Sequence, residues 1–177
     1  MKKLFVTCIF MLLLLCGCGH KTMSKDVLLN PRAVTTTDDD VFYYGDTKET
    51  VEEIVGTNSK LVLTGMDNYL KYNDDINVLY REDGGEERAV LFIIDMQQYS
   101  TYQGIHVGDK WSDVEGKLKN VASKGNGRLI AFDGDISVDP LSVEKADDWF
   151  MISYILEDDG TIENISLYDV QAGASCK

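Results

Sequence analysis

The side chains with reactive chemistry are mostly carboxylates. Asp133, Asp135, Ser137 and Glu144 stand where a calcium loop places its first, third, fifth and twelfth residues. Such a loop gathers oxygen ligands around a hard cation, and its sixth residue must turn with positive φ. That residue here is the β-branched Val138, and Pro140 stiffens the segment two residues on. The expectation is an acidic surface loop, with no metal ligand assigned. The adjacent pairs Asp74-Asp75, Asp147-Asp148 and Asp158-Asp159 have the composition of acid–base dyads, but they fall in turn-like stretches where aspartate is common for backbone reasons. The chain has two histidines, His20 and His106, and no Gly-x-Ser-x-Gly, His-Glu-x-x-His or phosphate-binding glycine loop. No catalytic residue and no cofactor site is assigned, and a non-enzymatic role is expected.

The amino terminus carries an address. Lys2 and Lys3 precede the apolar run Leu4–Leu15, which is short for a membrane span and suits an export signal. The run ends in Leu15-Cys16-Gly17-Cys18, which resembles a bacterial lipobox. That resemblance implies cleavage after residue 17 and lipidation of Cys18, the covalent link to the membrane. Each buried methylene is worth about 0.8 kcal/mol, so two or three acyl chains hold where one does not. Cys8 and Cys16 leave with the signal and Cys18 is acylated, so Cys176 is the one thiol of the mature chain. An internal disulfide and a zinc cluster held by cysteines are thereby excluded.

Residues 18–40 read as a polar tether, with Thr35-Thr36-Thr37 and Asp38-Asp39-Asp40 and no helical or strand period. Net charge is −13, and −15 once Lys2 and Lys3 are removed. So acidic a protein is a poor partner for nucleic acid or anionic headgroups.

The elements that would position any site come in two similar sets. Gly45-Asp46 precedes Val51, Ile54 and Val55, and Gly56 stops that helix, with Thr47 or an Asp46/Glu49 box as its cap. Sixty-three residues later, Gly108-Asp109 precedes Trp111, Val114, Leu118 and Val121, again one helical face, with Asp109 as the expected cap. Apolar strand pairs close each set. Ile76–Glu82 and Ala89–Met96 flank Asp83-Gly84-Gly85, and Trp149–Leu156 and Thr161–Val170 flank Asp159-Gly160. Ile76–Gln97 superposes on Phe150–Gln171 at a shift of 74, aligning Tyr80 with Tyr154 and Asp95 with Asp169.

The polar loop ending in Gly104-Ile105, then Val107-Gly108-Asp109 and a helix with Asp113-Val114, resembles small secreted lipoproteins of the β-lactamase-inhibitor-protein-like and outer-membrane-assembly group. The resemblance covers Tyr43–Gln171 and implies a fold class of α+β: two tandem units, each a short helix on a small antiparallel sheet. It also implies protein binding rather than catalysis. The expected organisation is a signal over 1–17, tether over 18–40, units over 41–98 and 99–171, and a tail over 172–177.

A two-residue Asp159-Gly160 turn sets the register of the last hairpin, placing Tyr154 opposite Ile165 and Ile152 opposite Leu167. Phe150, Ile152, Tyr154, Leu156, Ile165 and Leu167 then share an apolar face for the Trp111 helix. Ser153, Asn164, Ser166 and Tyr168 fall on the other face. With Tyr99 and Tyr102 of the loop before the second helix, they are the expected partner contacts. The corresponding outer positions of the first unit are expected at Val90, Phe92 and Ile94. The sequence therefore reads as a membrane-anchored, extracytoplasmic protein-binding module of the cell envelope. A metal-dependent or hydrolytic accessory enzyme using acidic loop residues is the alternative.

Overall fold

The computed structural model describes residues 30–63, 68–118, 121–125, 128–132 and 150–169. Within them, β1 (Ala33–Thr36) and β2 (Val41–Tyr43) lead into helix α1 (Lys48–Val55) and the meander β3 (Ser59–Leu63), β4 (Asn68–Tyr72), β5 (Ile76–Asp83) and β6 (Glu86–Ile94). The short β7 (Tyr99–Thr101) precedes α2 (Trp111–Val114), a 3₁₀ turn over Glu115–Lys117, and a second meander: β8 (Val121–Gly125), β9 (Arg128–Phe132), β10 (Phe150–Leu156) and β11 (Ile162–Asp169).

The two meanders do not stand apart as helix-on-sheet units. They join into one eight-stranded antiparallel sheet of order β3-β4-β5-β6-β11-β10-β9-β8, and β2-β1-β7 form a second, three-stranded sheet. The expected α+β class of two tandem units is thereby corrected to a mostly β fold, with two short helices among the described residues. The physical reason lies at the seam. The last strand of each meander would otherwise offer an open edge of N–H and C=O groups. Here β6 and β11 satisfy each other over Ile94↔Ile165, Ile93↔Ser166, Phe92↔Leu167 and Leu91↔Tyr168.

Beyond that seam each strand takes a new neighbour from its own half. The Gly45 N–H donates to the Ala89 carbonyl (2.8 Å), and the Ala89 N–H donates to the Asp46 carbonyl (2.9 Å). In the second half the Gly108 N–H donates to the Ile162 carbonyl (2.8 Å), and the Ile162 N–H to the Asp109 carbonyl (2.9 Å). The aspartates are equivalent too. Asp46 Oδ2 accepts from the Tyr43 N–H at 2.7 Å, and Asp109 Oδ2 from the His106 N–H at 2.9 Å. Asp109 therefore closes a loop instead of capping α2, whose N-cap position is Lys110 with no side-chain cap bond. Thr47 does cap α1, accepting from the Thr50 N–H, and Gly56 ends it at φ +86°. Both loop glycines adopt φ near +90°, which favours a residue without Cβ.

One core lies between the large sheet and the layer of α1, α2 and the three-stranded sheet. Val51, Val55, Trp111 and Val114 bring the helices to it, and Val34 and Phe42 bring the small sheet. The Phe42 ring meets Phe92 and Tyr99 edge-on, and Trp111 leans on Tyr154 with centroids 5.7 Å apart. The stretch expected as tether thus already contains structure, since β1 runs through Ala33–Thr36 with Ala33 and Val34 fully buried. The apolar period expected to continue a helix through Leu118 and Val121 ends early. Gly116 interrupts it, and Val121 begins β8. The signal, Cys18, the Asp133–Glu144 loop and Cys176 lie outside the described residues.

Candidate interaction face

The face of the large sheet turned away from the helices is organised in transverse rows. Val62 faces Tyr69, Leu79 faces Leu91, Leu91 faces Tyr168, and Tyr168 faces Met151 across successive strands. These six side chains belong to a second apolar cluster, separate from the main core. Tyr69, Leu79, Leu91 and Tyr168 form its floor, and Val62, Val90, Ile93 and Met151 are partly exposed. Beside it runs a row that is polar except for Ile93, Lys60–Lys71–Asn77–Ile93–Ser166–Ser153, again one residue from each of six strands.

The expected contact residues are divided by this geometry. Ser153, Asn164, Ser166 and Tyr168 do share the outer face, in the register anticipated for the last hairpin: Tyr154↔Ile165 and Ile152↔Leu167. Ser153 is fully buried, however, and Ser166 and Tyr168 are no more than 9% exposed. Tyr168 is a floor residue, and Asn164, four residues earlier in β11 on the same face, is half-buried. Tyr99 and Tyr102 do not join them. Tyr99 lies in β7 with its ring on Phe42, and Tyr102 packs against the main core. Desolvation raises the Tyr99 phenol pKa, as befits an interior side chain.

The outer positions of the first half also differ from expectation. The pairing slips between Leu79/Tyr80, so that Val90 is extra and Leu91 takes the outer place, while Phe92 and Ile94 turn inward and are fully buried. The last hairpin has a bulge of its own at Ile155/Leu156. Its turn is longer than two residues: the Gly160 N–H donates to the Glu157 carbonyl, and of Asp159 and Gly160 only Gly160 has positive φ. The bulge offsets the longer turn, so the expected register survives over Met151–Ile155.

The acidic pairs are dispersed. Asp75 Oδ2 accepts from Gln98 Nε2, and Asp95 Oδ2 accepts from Asn77 Nδ2 at 2.8 Å. Asp159 Oδ2 lies 2.6 Å from Lys110 Nζ, which, with the Thr161 hydroxyl, holds its carboxyl below the usual carboxylate range. His106 Nδ1 is 3.8 Å from Asp109 Oδ2. Among the described residues no three His, Cys, Asp or Glu side chains are grouped to hold a metal ion. Glu52, Tyr72 and Tyr80 form a partly buried polar cluster. Tyr72 donates to Glu52 Oε1 at 2.9 Å with the Tyr80 hydroxyl 3.2 Å away, and burial pushes both phenols well up. It ties α1 to the sheet.

No protein-family model matches the chain, and no curated protein matches it in sequence. Among solved structures the fold is similar to an extracellular protein containing an SCP domain from Bacillus anthracis str. Ames. The similarity has 12% identity and a TM-score of 0.48, and covers 74% of this chain and 45% of that one. This chain thus spans less than half the length of the structure it matches.

Proposed function

We propose that the chain is a lipid-anchored extracytoplasmic protein of the cell envelope that binds another protein, without catalysis, through the outer face of its eight-stranded sheet. One observation carries the binding reading. The apolar row from Val62 to Met151 crosses six strands, on a face opposite the layer of helices and small sheet. A contiguous apolar strip with partly exposed aliphatic margins and a polar row beside it has the make-up of a recognition surface. The address rests on Lys2, Lys3, the Leu4–Leu15 run and Leu15-Cys16-Gly17-Cys18. Because β1 is built into the small sheet at Ala33, the link from Cys18 is at most 15 residues, or roughly 50 Å fully extended. The partner must therefore reach close to the membrane.

A photo-crosslinking residue at Ile93, compared with one at Ser112 on the opposite side of the molecule, tests the binding. A discrete adduct from Ile93 and none from Ser112 is expected in intact cells; equal adducts from both, or none, overturn the reading. Labelled fatty acid should enter the wild-type chain and not Cys18→Ala, and continued labelling of that variant would overturn the anchor.

A further inference from the structure

The outer face gathers positive charge in a strongly acidic chain. Lys60 lies directly opposite Lys71, and Arg81 directly opposite Arg88. The two pairs lie on either side of the apolar row. Lys60 and Lys71 are two residues from Val62 and Tyr69, and Arg81 is two from Leu79. These four are half of the eight Lys and Arg side chains described, in a chain of net charge −13. Like charges placed opposite each other across strands destabilise a sheet. On the outer face of this meander that arrangement occurs for two cation pairs and, next to Arg81/Arg88 at the hairpin end, for the acid pair Asp83↔Glu86.

Carboxylates meet these cations from the margins. Lys60 Nζ is 3.5 Å from Asp74, Lys71 Nζ 3.5 Å from Asp95, and Arg88 2.5 Å from Glu86 and 3.9 Å from Asp83. Asp74, Asp83 and Glu86 sit at or beside hairpin turns, and Asp95 just past the end of β6. The Lys60–Asp74 pair is about 70% exposed on both sides, a setting in which ion pairs are weak and screened. A ligand carboxylate arriving over the sheet can compete for these cations while its apolar side chains cover the row.

We propose that this face takes an acidic protein segment, one that sets aliphatic or aromatic side chains on the Val62–Met151 row and carboxylates over Lys60/Lys71 and Arg81/Arg88. This deepens the protein-binding reading, on which it rests, by giving the partner's chemistry.

The probe is a synthetic peptide of alternating Val and Glu, titrated against the full chain in detergent, with its Val/Lys counterpart as control. The acidic peptide should bind and the basic one should not. Binding should weaken steeply as added salt shortens the screening length from ~10 Å to ~3 Å. The double change Lys60→Glu/Lys71→Gln, at one exposed and one half-buried position, should weaken it about tenfold or more while the variant still melts cooperatively as a folded protein. Equal binding of the two peptides, indifference to salt, or unaltered affinity of the double variant would each overturn the proposal. So would sedimentation showing a dimer that the double variant dissolves, because the occupant would then be a second copy. The Ile93 crosslink keeps the two readings apart. An Ile93 adduct that survives Lys60→Glu/Lys71→Gln refutes the acidic partner and leaves the binding face standing, whereas no adduct in either protein removes both.

Discussion

Lys110 Nζ reaches Asp159 Oδ2 and Thr161 Oγ1, each at 2.6 Å, and so ties the start of α2 to the tip of the last hairpin. The first half holds the same joint with two side chains exchanged. Lys110 bridges to Thr161 as Thr47 bridges to Arg88. In both halves the acid lies two residues before the strand residue, Asp159 before Thr161 and Glu86 before Arg88. The base comes from the loop in one half and from the strand in the other, and the hydroxyl takes the vacated place. Where the hydroxyl lies on the loop, as Thr47, it caps the helix; where the base lies there, the helix is uncapped and only four residues long.

The Asp159 carboxyl therefore titrates below the ordinary range, first because Lys110 donates to it and then because Thr161 does. A lowered folded pKa gives a contribution that is complete above the unfolded value of about 4 and fades as pH falls through the folded one. NMR titration should show the Asp159 midpoint rising in Lys110→Thr. It should fall again in Lys110→Thr/Thr161→Arg, where the new guanidinium takes the place Arg88 has beside Glu86. Because the group is exposed, added salt should move the wild-type midpoint upward. A midpoint indifferent to Lys110→Thr would refute the joint.

The paired Gly-Asp loops predict matched losses. Asp46→Ala and Asp109→Ala each remove a carboxylate acceptor from a backbone N–H and should cost about 1–3 kcal/mol in denaturant unfolding. Asn at either position keeps an acceptor and should recover part of the loss. Gly45→Ala and Gly108→Ala should each cost about 1–3 kcal/mol because both need positive φ. A Cβ at 45 meets open space, whereas one at 108 meets the Gln97 side chain. The close atom is the far end of the exposed Gln97 side chain, which can swing aside, so the two variants should lose similar amounts and Gln97→Ala should change the Gly108 loss little.

Which parts of this arrangement were legible in the sequence follows from the range of the forces involved. The positions of the two Gly-Asp loops and the inward face of Phe150, Ile152, Tyr154, Ile165 and Leu167 are written in spacings of two to four residues, and they were readable. Of the two caps open for α1 the structure uses Thr47, and the cap expected from Asp109 is not made. The β6–β11 seam is a choice between edges more than 70 residues apart, with no local signature. A bulge at Val90 turns Phe92 and Ile94 inward, and nothing in an all-apolar run marks where a bulge falls. Ala33–Thr36 is too short to show a period, so its central place in the small sheet was hidden. The polar look of Tyr99–Gly104 concealed that Tyr99, Ser100 and Thr101 are all buried. Of the candidate face, the hairpin register put Ser153, Asn164, Ser166 and Tyr168 on the outer side, but it did not reveal that Ser153, Ser166 and Tyr168 are buried there. Lys60, Lys71, Val62, Tyr69, Leu79 and Leu91 were missed, and their only trace was the period-two pattern of short strands.

Trp111 is 6% exposed and leans on Tyr154 within the main core. Trp111→Ala should cost about 3–5 kcal/mol, the range for removing a large buried aromatic side chain. Denaturant unfolding measures it. A loss below about 1 kcal/mol would mean that the short α2 relaxes to fill the space and contributes little to the core.

Tyr168 decides how the outer face is to be probed. It was among the expected partner contacts, yet it lies between Leu91 and Met151 at 9% exposure, a floor residue of the row. Tyr168→Ala should therefore lower the melting temperature, with a loss of about 2–4 kcal/mol, and any loss of partner capture in that variant would be secondary to unfolding. Val62 and Ile93 are partly exposed at the margins of the same cluster. Val62→Asp places a charge where the proposed partner sets an apolar side chain, and Ile93→Asp places one in the row that holds Lys71. Both should reduce capture with a smaller change in melting temperature. If Tyr168→Ala melts like the wild type and alone abolishes capture, Tyr168 is a contact residue and the floor assigned to it is wrong.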